Sequence, residues 1–195
     1  MFTVTDNTTL VTTQTAGSPY ANELADLQIP VIGITDEYIN LTGHNLVIVT
    51  SQTSYIRTGT GGDAIIDSSN GGNVVIDPGS GLNFIQASAN ARSHDTIVID
   101  AESDAPLTDV IAGLKAGDDV VIKGLTTLPN DLANTAFGPL QGLMLTTQVP
   151  AGPAAQIFLS GYGIADLAPG GRLSATPFTP ATSTASPYLL LHVAG

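Results

Sequence analysis

Oxygen-bearing side chains that recur at a fixed distance from apolar residues are the feature of this sequence best placed to do chemistry. Asn45, Ser54, Asp63, Asn73, Asn83 and Asp95 each precede a short apolar step, at offsets of 9, 9, 10, 10 and 12 residues. Carboxylates and side-chain amides can surround a hard cation or hydrogen-bond to one another along a ladder. Asp67 and Asp77 lie four residues past Asp63 and Asn73 and read as exposed strand ends. Other chemistries have little to work with. His44, His94 and His192 are far apart in sequence, and no metalloprotease, phosphate-loop or serine-hydrolase motif occurs. Asp36-Glu37, Asp100/Glu102/Asp104 and Asp118-Asp119 fall at element ends, where a carboxylate is ordinarily solvated. The chain is therefore expected not to be an enzyme.

The elements that must position these oxygens are short strands. Two residues past each aligned polar position stand Val47, Ile56, Ile65, Val75, Ile85 and Ile97, all β-branched and apolar. A two-residue step from a turn residue to an inward residue is the period of a β-strand. Keeping that register through six units predicts stacked rungs, each burying its apolar face against the next.

The stretch TGTGGDAII (58–66) resembles the glycine- and aspartate-rich nonapeptide of RTX, or hemolysin-type, calcium-binding proteins, with Gly59, Gly61, Asp63 and Ile65 at pattern positions. SSNGGNVVI and PGSGLNFIQ follow the pattern with asparagine in place of aspartate. The wider likeness, to the C-terminal module of exported RTX-like proteins, runs over about residues 57–175. The resemblance implies an all-β fold, a parallel β-roll or β-solenoid with a β-rich C-terminal cap and one or two short helices. It implies turns alternating between two sides, with Asn45, Asp63 and Asn83 on one and Ser54, Asn73 and Asp95 on the other. It also implies calcium at no more than two sites, drawn from Gly59, Gly61, Asp63, Asn83 and Asp95. A metal-free asparagine ladder is the alternative. Finally, it implies type I secretion without a cleaved N-terminal signal, which agrees with a start lacking a basic and then apolar leader.

Three regions are expected: an N-terminal arm and first strands at 1–43, the degenerate roll at 44–103, and a cap carrying a secretion signal at 104–195. Within them, 18–27 reads as a short helix and 29–35 as a strand. Residues 106–118 have helical apolar spacing, strands are expected at 119–125, 142–149, 155–161 and 188–195, and 176–187 reads as a loop.

Composition narrows the function. Seventeen acidic residues against five basic ones give a net charge of −12, and the five are scattered singly, so nucleic acid is not an expected partner. There is no cysteine, and no apolar run reaches the ~20 residues of a membrane-spanning helix, so no integral membrane protein is expected. Charged residues are only 11% of the chain, leaving a surface of Thr, Ser, Asn and Gly suited to lying against other surfaces. The expected role is extracellular and structural or adhesive, as a filament, layer or biofilm matrix. Its partners would be copies of itself, joined through roll ends and an N-terminal strand, and cell-surface polysaccharide. A carbohydrate-binding module and a calcium-binding secretion module are the alternatives. A carbohydrate-binding module would show a row of exposed aromatics.

Overall fold

The computed structural model describes residues 2–5, 10–11, 36–50, 53–103, 105–147, 153–180 and 186–195. The expected helix at 18–27 and strand at 29–35 lie outside these residues. Sixteen strands are described: β1 (Phe2–Thr5), β2 (Leu10–Val11), β3 (Asp36–Thr42), β4 (Leu46–Val49), β5 (Thr53–Thr60), β6 (Ala64–Asp67), β7 (Gly72–Asp77) and β8 (Gly81–Gln86), then β9 (Ser93–Asp100), β10 (Leu107–Ala112), β11 (Asp119–Lys123), β12 (Asp131–Phe137), β13 (Leu140–Thr147), β14 (Ala155–Ser160), β15 (Leu173–Phe178) and β16 (Tyr188–Val193). Helical structure among the described residues is a single 3-10 turn, Ile164–Leu167. The protein is all-β, with mixed sheets whose centres are parallel.

Successive strands from β3 to β11 are dealt alternately to two eight-stranded sheets. The first has the order β1-β4-β6-β8-β10-β14-β13-β12, the second β15-β16-β11-β9-β7-β5-β3-β2. In the first, β4, β6, β8, β10 and β14 run parallel. In the second, β3, β5, β7, β9 and β11 do so. The parallel pairing therefore continues past residue 103. Antiparallel strands close both sheets at the C-terminal side: β13 and β12 on the first, β16 and β15 on the second.

Residues 106–118 form no helix. β10 occupies Leu107–Ala112, with Leu107 and Ile111 in the main core. Four apolar positions, Leu107, Val110, Ile111 and Leu114, matched a helical stripe by chance, whereas Thr108, Val110 and Ile111 favour a strand buried on both faces. The expected loop at 176–187 likewise begins as strand, since β15 runs through Phe178.

Buried columns cross each sheet. Val47, Ile65, Ile85, Ile111 and Leu159 are register neighbours across the first. Tyr38, Ile56, Ile76, Ile97, Val120 and Leu191 are neighbours across the second. All belong to one core cluster. Five of the six expected inward residues lie in it. Val75 is the exception. It sits with Tyr55, Val98, Val121 and Tyr188 in a separate cluster on the outer face of the second sheet, and Ile76 fills the inner position. An extra residue in the Ser68–Gly72 corner moves β7 by one, and a one-residue slip exchanges faces.

Candidate functional site

The two sheets each carry a buried polar corner at the entry to their strands. In the first sheet the corner is a single file. Asn45 donates from its backbone N–H and from Nδ2 to Asp63 Oδ1, both at 2.7 Å. The Asp63 N–H donates to Asn83 Oδ1 at 3.1 Å, and Asn83 Nδ2 donates to Asp109 Oδ1 at 2.9 Å. All four side chains are buried. Asp63 Oδ2 and Asp109 Oδ2 have no hydrogen-bond partner. Burial pushes the Asp109 carboxyl up to about 8, the Asn83 hydrogen bond pulls it down, and the nearby Asp77 charge adds to the rise.

Glycines set the close stacking of this corner. A Cβ on Gly81 would overlap the carbonyl oxygen of Gly61, and one on Gly61 would overlap that of Gly43. Gly81 also has φ of 112°, a conformation side-chain-bearing residues rarely adopt.

The second sheet's corner is a network. The Ser69 N–H and hydroxyl donate to the two oxygens of Asp67 at 2.6 and 3.0 Å. Ser93 Oγ lies 3.1 Å from Asp95 Oδ1 and 3.3 Å from Asp67 Oδ2, and the Ser88 N–H donates to Asp95 Oδ2 at 2.6 Å. The Asp95 N–H donates to Asp118 Oδ1 at 3.0 Å. Lys115 closes the network. Its N–H donates to Asp118 Oδ2, and Nζ donates to Oδ1 and Oδ2 of Asp118 at 2.9 and 3.2 Å. Burial, then hydrogen bonding with Asp67 and its charge, pushes Asp95 up to about 8.

The sequence-derived site residues divide between these corners. Asn45, Asp63 and Asn83 do stack on one side. Of the other expected set, Ser54 and Asp95 are in line, but Val74 stands between them. Asn73 lies one residue off, on the outer face beside His94. Asp67 and Asp77 are buried rather than exposed, Asp67 in the serine network and Asp77 beside Arg57 at 3.4 Å. Of the residues expected to supply calcium ligands, Gly59, Gly61, Asp63 and Asn83 lie near the first sheet's corner, and Asp95 lies apart from them. Asp95 is in the other sheet, Asp63 Oδ1 is taken by two N–H donors, and the Gly59 carbonyl accepts the Ser80 N–H at 2.8 Å. Calcium takes about six to eight oxygens, and of the two Asp63 oxygens only Oδ2 is without a donor. Among the described residues no three histidine or acidic side chains converge as a metal site.

Sequence reasoning missed Asp109 and read Asp118 as solvated, whereas both are fully buried. The signal was present, because Ile111 and Val120 follow them by the same two-residue step.

The outer face of the second sheet holds a further feature, a groove of about 450 Å³ lined by His94, Thr96, Asp119, Tyr188, Leu190 and His192 among others. His192 Nδ1 is 2.8 Å from Asp119 Oδ1, and His94 Nδ1 is 3.4 Å from the Gly117 carbonyl. The aromatics form no exposed row among the described residues. Tyr38, Tyr55 and Tyr162 are buried, and Phe178 stacks on Tyr188 with ring centres 4.7 Å apart.

The sheet ends differ. β12 ends the first sheet with seven residues, Asp131–Phe137, largely exposed and free of lysine, arginine and proline. β15 ends the second and contains Pro177. Among the described residues no helix is long and apolar enough to cross a membrane.

No family model matches the chain, and neither a curated protein nor a solved structure is similar to it.

Proposed function

We propose that the two sheets are opposite walls of a β-roll, and that the protein is an extracellular structural module that associates with copies of itself through the edges of the first sheet. The observation that carries this reading is β12. An edge strand presents unpaired N–H and C=O groups, and proteins blunt such edges with lysine, proline, bulges or covering elements. β12 has no such residue along its length, whereas β15 has Pro177, which cannot donate to a further strand. The other edge of the first sheet is β1, so one copy can add at each end and a head-to-tail contact would repeat as a filament. The net charge of −12 opposes close approach, so raising the ionic strength favours association.

Sedimentation and negative-stain microscopy of wild type and Thr135→Pro test the proposal. The expected outcome is salt-promoted, elongated assemblies of wild type and monomers of the variant, with unchanged circular dichroism. Wild type that stays monomeric at high salt, or a variant that assembles equally well, overturns it.

A further inference from the structure

Folding brings together three residues that are far apart in the chain. Asp119 on β11 is the register partner of His192 on β16, and His192 is the register partner of Ser174 on the edge strand β15. Register partners across antiparallel strands share a face, with Cβ atoms about 5 Å apart. The next-but-one pair on this face, Phe178 and Tyr188, stacks ring on ring. The order across the sheet is acid, imidazole, hydroxyl.

The Asp119 carboxylate accepts from His192 Nδ1 at 2.8 Å. That bond fixes the tautomer with the proton on Nδ1 and leaves Nε2, on the side of the ring away from Asp119, as a base. Ser174 stands on that side and is exposed. Beside the row, Val121, Leu190 and Tyr188 give the groove an apolar wall that can hold an acyl chain.

We propose that this row is an acyl-transfer site, beyond the structural role, with Ser174 as nucleophile, His192 as general base and acid, and Asp119 as the positioning residue. Ser174 Oγ forms a bond to the ester carbonyl carbon as its proton passes to Nε2. The carbon–oxygen bond to the leaving group then breaks, and that oxygen takes the proton from Nε2. Water then gives a proton to Nε2 as it attacks the acyl carbon. The bond from that carbon to Ser174 Oγ breaks, Oγ takes the proton back from Nε2, and the carboxylic acid leaves. β15 is an edge, so every second N–H along it is open to the developing oxyanion, but it faces solvent rather than a closed pocket. Losing one enclosed oxyanion donor costs about 100- to 1,000-fold in rate. The substrates are therefore activated esters with short acyl chains and good leaving groups, not amides.

The test is hydrolysis of p-nitrophenyl acetate and butyrate, with intact-mass and peptide mapping of the acyl adduct after brief exposure. Wild type is expected to exceed buffer and to carry one acyl group on Ser174. Ser174→Ala and His192→Ala are expected to lose at least about tenfold of that excess. Asp119→Asn is expected to lose less and to shift the pH profile, which a merely structural role would not do. His44→Ala, a change at the first sheet's corner, should hydrolyse as wild type. Wild-type rates in Ser174→Ala with circular dichroism unchanged, or an adduct that maps to a lysine or to His94, overturn the assignment.

Discussion

The two polar corners solve one problem in different ways. Each must place carboxyl groups where strands enter a buried core, at a site where an unpaired charge is costly. The first sheet alternates amide and acid in single file, Asn45, Asp63, Asn83, Asp109, and leaves one oxygen of each acid unpartnered. The second places Asp67, Asp95 and Asp118 among three serines and the Lys115 ammonium, and none of their oxygens lacks a partner. Spacing explains the difference. Side chains that repeat one above the next can bond only along the column, whereas the wider turns around Ser88 and Lys115 fold back and bring in donors from beside it.

The largest effect should come from breaking the spacing of the first corner. Gly81→Ala forces a side chain into the Gly61 carbonyl from a backbone conformation alanine resists. A loss of about 4 kcal/mol or more, enough to prevent folding of a marginally stable domain, is expected in thermal unfolding. A wild-type midpoint would mean that the stack is looser than its geometry.

Next is the cation of the second corner. Lys115→Met keeps the stem but leaves Asp118 buried and unpaired, which costs about 3–5 kcal/mol where a buried pair is broken. Denaturant unfolding of the variant at pH 7 checks this, and a wild-type midpoint would remove the ammonium from the account.

The smallest effect at any one step is a pH slope, at most about 1.4 kcal/mol for each pH unit. Asp109 titrates at the ordinary 3.8 in the unfolded chain and at about 8 when folded, so the folded protein holds the proton more tightly. The stability conferred by that proton is complete below pH of about 4. It falls as pH rises toward 8 and is absent above, with a span on the order of 5 kcal/mol at most. Asp109→Asn should match wild type near pH 4, exceed it at pH 9 and flatten the unfolding midpoint between. Asp95, whose pKa is raised in the same direction, supplies the slope that remains. An unchanged slope in Asp109→Asn would remove Asp109 from the account.

Much of this was legible in the sequence, because the polar-to-apolar step of two is a local rule. It placed Val47, Ile56, Ile65, Ile85 and Ile97 inside and stacked Asn45, Asp63 and Asn83. It failed at Asn73, where one additional corner residue moved β7 and no local preference records the count. Asp109 and Asp118 were hidden by a misread helix and by a turn whose lysine reaches back only once the strands are paired. The row of Ser174, His192 and Asp119 is a product of strand order, and sequence distance gave the opposite impression. The N–H groups on Asp63 Oδ1 both belong to Asn45 of the neighbouring rung, a contact between layers that the local motif does not record.

The rungs are of unequal length. Paired residues Leu46, Ala64, Phe84 and Val110 of the first sheet are separated by 18, 20 and 26 positions, yet the strands between corners stay in line. The excess is carried by the bends, such as the one at Ala89–Arg92 with its exposed Ala91 and Arg92. Such a bend can accept a grafted epitope or a foreign peptide without disturbing the layers above and below, so the protein offers a display scaffold whose insertion points are marked by where the pitch already varies.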